Sequence, residues 1–478
     1  MSADILDLDA TGQLAALTAR KISSEELLTL SMARQAESHA RLNLVVVADP
    51  AAGLAQARAS DAKRSTGEVM GGLAGLPMTL KDTMDVAGMP ASAGLAAYQN
   101  RSCDDAVAVA KARAAGAVLW GKTNVPVMAG DWQSYNAPFG TSNNPWDVTR
   151  TPGGSSGGAA GALAMGITAL EIGSDIGGSL RVPANFCGVY SHKPSWGAVS
   201  QLGHVPPAPG SRAQRDLNVI GPMARSARDL KLLFSTIADP PISLATAPGL
   251  GDIRVGLWLD EPLYPLDPQV RDVIEAYAAD LAGAGVRLEL IKSPIDAATL
   301  SKAYQLLLGA ILGADLPLAQ YQEMAAMRDA AKQAIAAGAR DDGLLDLTIS
   351  YTATHVEWLE ANEVRARLRD QVSEVFKRFD VILAPVTPVA AFPHDHAPFA
   401  QRTLGMSDGR TIAYTSILNW IGLATTCHLP ATCVPAGLTL RGLPVGVQLI
   451  GPPGGDARTL AVAEAFEAVR GFAKPPSA

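Results

Sequence analysis

The chain has 478 residues, with 39 Lys and Arg against 46 Asp and Glu and a formal net charge of −7. Hydrophobic residues make up 48% of the chain and charged residues 18%, which excludes a disordered protein and is typical of one with a large buried core. The mild acidity excludes nucleic acid as the main partner, because proteins that bind nucleic acid carry dense basic patches.

The sequence predicts neither export nor membrane insertion. The first ten residues are acidic and lack the apolar core of a secretory signal. The longest stretch without Asp, Glu, Lys or Arg, 411–440, is interrupted by Pro, Asn and His and makes a poor membrane span. The four cysteines show neither a CxxC pattern nor metal-ligand spacing with His. We therefore expect a cytoplasmic protein that contacts no membrane and binds no metal.

The N-terminal part of the chain alternates helix and strand signals. Ser23 and Glu26 are spaced as a capping box, which predicts a helix that begins there and runs to about residue 39. Apolar runs and helical periodicity then predict strand 42–47, helix 51–64, strand 76–81, helix 106–115 with Gly116 as its cap, and strand 117–120. The strand over 76–81 ends in a lysine.

The C-terminal half is predicted to contain strand 253–258, a mostly helical and more charged stretch over 268–378, and strands 381–384 and 445–450. We expect the helical stretch to form a lid or a peripheral layer, and the two later strands to return to the same sheet. Alternating elements of this kind indicate an α/β fold with a mixed, mostly parallel central sheet flanked by helices on both faces. We expect residues 1–478 to form a single domain.

Residues 116–123 match the letters of a phosphate-binding loop, GxxxxGKT. That motif needs a strand before the first glycine and a helix after the threonine, so that backbone N–H groups surround a phosphate. Here a predicted helix precedes Gly116, the four variable positions are a predicted strand, and Pro126 opposes an immediate helix start. Nucleotide binding is therefore not expected. The SxxK pattern at 60–63 lies on an ordinary charged helix and is attributed to chance spacing.

Residues 153–157, GGSSG, match the nucleophile elbow of α/β-hydrolases, in which Ser155 would be the nucleophile of a Ser-His-Asp esterase. An elbow follows an apolar strand, whereas residues 144–152 are polar and typical of turns. The histidine of such a triad would come from downstream, where the candidates are His355, His394, His396 and His428. The esterase stays open as an alternative.

A different set of residues fits acyl transfer better: Lys81, Ser155 and Ser179. Acyl transfer to a serine needs a base, a nucleophile and donors for the oxyanion. The run IGGS at 176–179 can supply successive backbone N–H groups, because glycine tolerates the positive φ that a concave backbone requires. No histidine lies between residues 39 and 192, and a lysine at a buried strand end can have its pKa lowered enough to act as the base.

Many segments of the chain resemble the amidase signature family. They are GLPMTLKD (75–82), GKTN (121–124), NPWD (144–147), PGGSSGG (152–158), GSDIGGSLRVPA (173–184), FCGV (186–189), KP (193–194), GPMAR (221–225), LPA (429–431), VPAG (434–437) and LPVGVQ (443–448). The resemblance covers essentially the whole chain, with a signature core at about 70–225, and its long glycine-serine segment is highly specific. It implies the amidase signature fold.

The resemblance also implies a serine hydrolase that cleaves C–N bonds through an acyl-enzyme. Ser179 is the implied nucleophile, Ser155 the bridging serine after a cis peptide bond with Gly154, and Lys81 the base. Four residues are implied to hold the oxyanion through backbone N–H groups: Ile176, Gly177, Gly178 and Ser179. Three neighbours are expected to brace the two loops: Ser156, Asp175 and Arg181. This chemistry needs neither a metal nor an organic cofactor.

The expected substrate is a small-molecule amide or carbamate, with aryl acylamides, aliphatic amides and urethanes all open. Five residues lie on the stretch that the family places near the pocket: Met128, Ala129, Gly130, Trp132 and Tyr135. The glutaminase components of glutamyl-tRNA amidotransferases in this family usually carry Thr and Gln where this chain has Ile176 and Val182, which argues against that role. A non-autonomous component of an amidotransferase is the further alternative. We expect a monomer or a homodimer.

Overall fold

The computed structural model describes residues 2–339 and 344–476. Its α-helices are α1 (Ser2–Asp7), α2 (Ala10–Thr18), α3 (Ser24–Leu42), α4 (Pro50–Thr66), α5 (Val107–Ala114), α6 (Gly157–Ala164), α7 (Arg181–Cys187), α8 (Ala227–Ile237), α9 (Pro268–Gly283), α10 (Ala297–Ala314), α11 (Leu318–Ala336), α12 (Leu344–Tyr351), α13 (His355–Val375), α14 (Ile417–Thr426) and α15 (Asp456–Glu467). Its β-strands are β1 (Val45–Ala48), β2 (Pro77–Lys81), β3 (Val118–Thr123), β4 (Tyr135–Asn136), β5 (Gly140–Thr141), β6 (Leu170–Asp175), β7 (Tyr190–Lys193), β8 (Val219–Ala224), β9 (Arg254–Leu257), β10 (Arg287–Leu290), β11 (Val381–Pro385), β12 (Thr403–Gly405), β13 (Thr411–Ala413), β14 (Ala431–Leu438) and β15 (Pro444–Ile450).

One large sheet organises the fold, and its order within the described residues is β10-β9-β11-β15-β14-β7-β8-β6. β9 pairs in parallel with β10 and β11. Every other neighbouring pair in this part of the chain is antiparallel. The predicted mixed α/β sheet is confirmed, and strands β11 and β15 join it as expected. The expectation that the sheet is mostly parallel is wrong, because neighbours such as β14 and β15 follow each other through short connections, which favour antiparallel pairing.

Helices cover both faces of the large sheet, as predicted. In β14, Cys433 packs into a hydrophobic cluster that includes residues of α6, α7, α10 and α14. Its neighbour Val434 packs into a different cluster that includes residues of α8, α9 and α15. Because successive side chains of a strand point to opposite faces, the two clusters lie on the two sides of the sheet.

A smaller sheet has β3 in the middle, antiparallel to β1 and parallel to β2. It meets the large sheet at the edge strand β6. The N–H of Thr79 in β2 donates to Thr168 Oγ1 (3.3 Å), and Thr79 Oγ1 donates to Glu171 Oε1 in β6 (2.5 Å). These contacts bring the end of β2, with Lys81, beside the end of β6, which leads into the glycine loop that contains Ser179.

Several locally encoded elements agree with the sequence. The capping box is present, since Glu26 N–H donates to Ser23 Oγ (3.1 Å) and Ser23 N–H donates to the Glu26 carboxylate (2.9 Å). The predicted elements near 51–64, 76–81, 106–115, 117–120, 253–258 and 381–384 correspond to α4, β2, α5, β3, β9 and β11 within a few residues. The stretch 268–378 forms α9 to α13 and also contains β10, which the sequence did not indicate.

Candidate active site

Lys81 is the last residue of β2, and its side chain is fully buried. Its Nζ lies 2.6 Å from Ser155 Oγ and 2.8 Å from Ser174 Oγ. Burial lowers the pKa of Lys81 to about 7, although the charges of Asp175 and Glu171 oppose this shift. A lysine with such a pKa is largely neutral above pH 7 and offers a lone pair to a neighbouring hydroxyl.

Glu171 of β6 is a second buried titratable group close to Lys81. Burial raises the pKa of Glu171 to about 8, although the hydrogen bond from Thr79 favours the ionised form. The carboxyl group is therefore largely protonated at neutral pH and adds little negative charge beside Lys81. The electrostatic environment thus leaves the amine of Lys81 neutral in this pH range.

Ser155 lies in the tight loop that leads into α6. Gly153 in this loop has a φ of 89°, and a Cβ there would lie 2.7 Å from Pro183 Cα. Only glycine satisfies both constraints. The peptide bond between Gly154 and Ser155 is cis, as the family resemblance implied.

The two glycine loops contact each other through their backbones. The N–H of Ser156 donates to the carbonyl oxygen of Ser179 (3.2 Å). Ser156 therefore braces the loops through its main chain, while its buried hydroxyl has no hydrogen-bond partner among the residues described. The hydroxyl of Ser179 lines an open cavity, and no side-chain hydrogen bond joins it to Ser155 within the described part of the chain.

A buried ion pair supports the loop before Ser179. Arg181 Nε and Nη2 each lie 3.1 Å from an oxygen of Asp175, and both side chains are fully buried. Asp175 also accepts hydrogen bonds from the N–H groups of Gly178 (2.9 Å) and Leu180 (3.1 Å). Burial opposes ionisation of Asp175, but the charge of Arg181 outweighs it and lowers the pKa of Asp175. The expected bracing contact between Asp175 and Arg181 is present.

The structure corrects one member of the expected oxyanion site. The N–H of Gly178 is committed to the buried carboxylate of Asp175, so it is not available to an oxyanion. The N–H groups of Ile176, Gly177 and Ser179 have no hydrogen-bond partner in residues 2–339 and 344–476. Three of the four expected donors therefore remain free.

A cavity of about 580 Å³ opens beside Ser179, a size typical of small-molecule sites. The signature loops form one side of it. α10 forms much of the opposite wall with Leu300, Leu308 and Leu312, while α14 contributes Leu418. The helical region 268–378, expected to be a lid or a peripheral layer, thus supplies a large part of the wall.

Only some of the predicted pocket residues reach this cavity. Three of the five line it: Ala129, Gly130 and Trp132. Met128 and Tyr135 do not, so those two expectations are wrong. The ring of Tyr135 stacks on His396 with centroids 3.8 Å apart, and its hydroxyl accepts a hydrogen bond from Arg402 (2.7 Å). These contacts hold Tyr135 in the surrounding loops rather than at the cavity.

The cavity wall is almost free of charge. Asp131 is the only Asp, Glu, Lys, Arg or His that lines it among the described residues. Its carboxylate accepts hydrogen bonds from Arg402 Nη1 (2.5 Å) and from the hydroxyl of Tyr414 (2.7 Å). The charge of Asp131 is therefore neutralised within the protein, and the cavity offers no unpaired charge to a ligand.

Two polar residues behind Lys81 were not singled out from the sequence. Ser174 Oγ lies 2.9 Å from His204 Nε2 as well as 2.8 Å from Lys81 Nζ. Ser174 stands in the GSDIGGS segment, and that position was a signal that could have drawn attention to it. His204 has no such local signal, because it reaches the site through the docking of a distant loop.

Comparison with known proteins identifies this arrangement. A profile of the amidase family matches residues 26–460. The chain belongs to the amidase family. The resemblance to the amidase signature enzymes is confirmed, and the protein is an amidase-type enzyme.

The amidase has relatives of more than one kind. It is 31% identical over 494 aligned residues to the glutaminase component of the glutamyl-tRNA(Gln) amidotransferase of Heliobacterium modesticaldum, with 95% of each chain covered. It is 27% identical to the peptide amidase from Stenotrophomonas maltophilia, with a TM-score of 0.76 and 98% of each chain covered. It also shares the fold of a bacterial aryl acylamidase of the amidase signature family, with a TM-score of 0.79, 24% identity, and 97% of this chain and 96% of that chain covered.

The competing motifs have other roles in this amidase. Residues 118–123 form β3 after helix α5, and Lys122 Nζ forms a buried ion pair with Asp82 (2.9 Å) instead of facing a phosphate. In the described part of the chain, no hydrogen bond joins Ser155 to any of the elbow candidates: His355, His394, His396 and His428. In residues 2–339 and 344–476, none of the helices has the length and apolar character needed to cross a membrane.

Proposed function

We propose that this amidase hydrolyses the C–N bond of small, uncharged and largely apolar amides, with aryl acylamides as the first choice and aliphatic amides and carbamates as further candidates. The observation that carries the proposal is the 2.6 Å contact between Lys81 Nζ and Ser155 Oγ, beside an apolar cavity lined by Ser179. Base, bridging hydroxyl and nucleophile are the three parts that serine acyl transfer needs.

In the proposed reaction the neutral amine of Lys81 takes the proton of Ser155, and the Ser155 oxygen takes the proton of Ser179. Ser179 Oγ then forms a bond to the substrate carbonyl carbon, and the oxyanion accepts hydrogen bonds from free backbone N–H groups at 176, 177 and 179. When the C–N bond breaks, the proton returns through Ser155 to the leaving amine. A water molecule, activated by the same two residues, hydrolyses the acyl-enzyme and restores Ser179.

The cavity supports the proposed substrate class. An ionised group that enters an apolar cavity without a partner loses its hydration at a high free-energy cost. Because Asp131 is already paired with Arg402, the described wall offers neither a cation for a carboxylate nor a free carboxylate for an ammonium group. Uncharged amides therefore suit this cavity better than a free amino acid such as glutamine.

The relatives favour one other function, that of the glutaminase component of a glutamyl-tRNA amidotransferase. The amidase is 31% identical to such a protein across 95% of its chain. Against this role stand the uncharged cavity and the residues Ile176 and Val182, where those proteins usually carry Thr and Gln. A protein with that role would show glutaminase activity and would depend on the other components of its complex.

The test is hydrolysis by the purified chain alone of a panel containing a p-nitroanilide, a primary aliphatic amide, a carbamate and glutamine. We expect turnover of the anilide without any partner, little or no turnover of glutamine, and covalent labelling by a fluorophosphonate probe. Turnover of glutamine alone, or none without the other amidotransferase components, would favour the amidotransferase function.

Variants separate the proposed chemistry from the nucleophile elbow. We expect Ser179→Ala to abolish both turnover and labelling, and Lys81→Met to lower kcat by at least about a hundredfold. Alanine variants at the elbow candidates are the controls and should keep their activity: His355, His394, His396 and His428. Loss of turnover in one of them, with Lys81→Met still active, would establish Ser155 as the nucleophile of a Ser-His-Asp triad.

A further inference from the structure

We propose that His204 is a positioning residue for Lys81, which acts through Ser174 to keep the lone pair of the lysine directed at Ser155. The inference rests on the proposed function, in which Lys81 is the base. It assigns a role to a histidine that touches neither the substrate cavity nor the two serines of the proposed proton relay.

The hydrogen-bond direction begins at a backbone carbonyl. His204 Nδ1 lies 2.6 Å from the carbonyl oxygen of Pro206, and a carbonyl can only accept. Nδ1 therefore carries the proton, and Nε2 of the neutral ring is an acceptor. Ser174 Oγ lies 2.9 Å from Nε2, so the Ser174 hydroxyl must donate to it.

The same direction continues to the lysine. Because the Ser174 hydroxyl proton is used on His204, the Ser174 oxygen can only accept from Lys81 Nζ, which lies 2.8 Å away. A neutral amine has two N–H groups and one lone pair. With one N–H directed at Ser174, the lone pair is left for the hydroxyl of Ser155 at 2.6 Å. This is the orientation that a base needs.

The loop that carries His204 is docked directly onto the chain that follows Lys81. Val205 N–H donates to the carbonyl of Thr83 (2.8 Å), and Asp85 N–H donates to the carbonyl of Gly203 (2.8 Å). Gly203 has a φ of 88°, and a Cβ there would lie 2.5 Å from Ala106 Cα, so glycine is required for this close approach. His204 is 6% exposed and held in place by these contacts.

The charges around this chain of hydrogen bonds keep it in one state. Burial, followed by the nearby charge of Lys81, lowers the pKa of His204 to about 3. The ring therefore stays neutral at every pH at which Lys81 is deprotonated. The other titratable groups that face Lys81 are Asp175, which is paired with Arg181, and Glu171.

Without the acceptor on His204, the Ser174 hydroxyl is free to rotate and donate to Lys81. Ser174 then competes with Ser155 for the single lone pair, and the fraction of enzyme ready for proton transfer falls. Substrate binding is untouched, because His204 does not line the cavity. The effect should therefore fall on kcat and not on KM.

The experiment compares His204→Leu, His204→Gln and Ser174→Ala with the wild type on the most active anilide. For His204→Leu we expect kcat to fall about 10- to 100-fold, KM to stay within about twofold, and fluorophosphonate labelling to slow in parallel. The midpoint of the rise of kcat with pH should move down, since a hydrogen bond from Ser174 stabilises the neutral amine. His204→Gln, whose amide oxygen can accept from Ser174, should recover most of the loss.

His192→Leu is the matched control, since His192 is equally buried and hydrogen-bonded to Thr432 and Asp456, away from Lys81. It should lower the melting temperature without moving the pH midpoint. The double variant His204→Leu/Ser174→Ala should be no slower than Ser174→Ala alone, because both changes break one chain. A wild-type kcat and pH midpoint in His204→Leu, or equal kcat losses in the Leu and Gln variants, would overturn the inference. A wild-type enzyme that neither turns over nor labels would instead refute the proposed function.

Discussion

Lys81 Nζ lies 2.6 Å from Ser155 Oγ, although 74 residues separate the two in the chain. The contact joins the small sheet, which carries Lys81 at the end of β2, to the glycine loop that leads into α6. Since the lysine is fully buried at this junction, its ionisation is costly and its amine is kept neutral near pH 7.

The first prediction concerns pH. Lys81 acts as a base only when it is deprotonated, so kcat/KM should rise about tenfold per pH unit below its pKa of about 7 and level off above it. The measurement is kcat/KM for an uncharged anilide between about pH 5.5 and 9. The rise should be absent from the residual activity of Lys81→Met. A wild-type profile that is level across this range would contradict a lysine base.

The second prediction concerns the buried ion pair of Arg181 and Asp175. Arg181→Leu leaves the Asp175 carboxylate buried without its partner, which should lower the free energy of unfolding by about 3–5 kcal/mol and also impair turnover by loosening the Ser179 loop. Thermal and urea unfolding check the stability. The control is Arg367→Leu, which removes an exposed pair with Glu363 and should change stability by less than about 1 kcal/mol. Similar losses in both variants would show that the buried pair does not support the loop.

The third prediction concerns the cavity wall. Leu308 of α10 lines the cavity, so Leu308→Ala should enlarge it and shift kcat/KM towards anilides with larger acyl or aryl groups by about tenfold relative to small ones. The ratio of kcat/KM for a bulky and a small anilide measures this shift. Leu307→Ala is the matched control, because Leu307 is its buried neighbour and does not line the cavity. It should lower stability by about 2–5 kcal/mol and leave the ratio unchanged.

The fourth prediction concerns Lys122, which occupies the lysine position of the phosphate-loop pattern. Since its amine pairs with the buried carboxylate of Asp82, Lys122→Met should cost about 3–5 kcal/mol of stability. Millimolar Mg-ATP should leave the melting temperature of the wild type unchanged, because a ligand that does not bind the folded state cannot stabilise it. A rise in melting temperature with Mg-ATP that Lys122→Met abolishes would restore the nucleotide-binding interpretation.

Sequence reasoning worked best where the signal is local. Ser23 and Glu26 form the capping box that their spacing predicts, and the apolar run before Lys81 becomes β2. The specific GSDIGGS segment also pointed to the loop in which Asp175 and Arg181 pair. These features depend on a few consecutive residues, so they can be read without knowing the fold.

What was missed depends on contacts between distant segments. Alternating helices and strands favoured a mostly parallel sheet, but β7 and β8 carry polar residues and proline that hide them as strands, and both pair antiparallel. The commitment of the Gly178 N–H to Asp175 requires the folded loop geometry. His204 reaches Lys81 only because its loop docks on Thr83 and Asp85. Nothing in the neighbourhood of these residues in the sequence encodes such pairings.

The division of labour between the loops near Ser179 and the wall built by α10 has a consequence for how such enzymes diversify. The groups proposed to break the bond come from residues 81–179, whereas much of the surface that a substrate meets comes from helices more than a hundred residues further along the chain. Exchanging α10 between homologues is therefore a route to new substrate preferences that leaves the reaction itself in place.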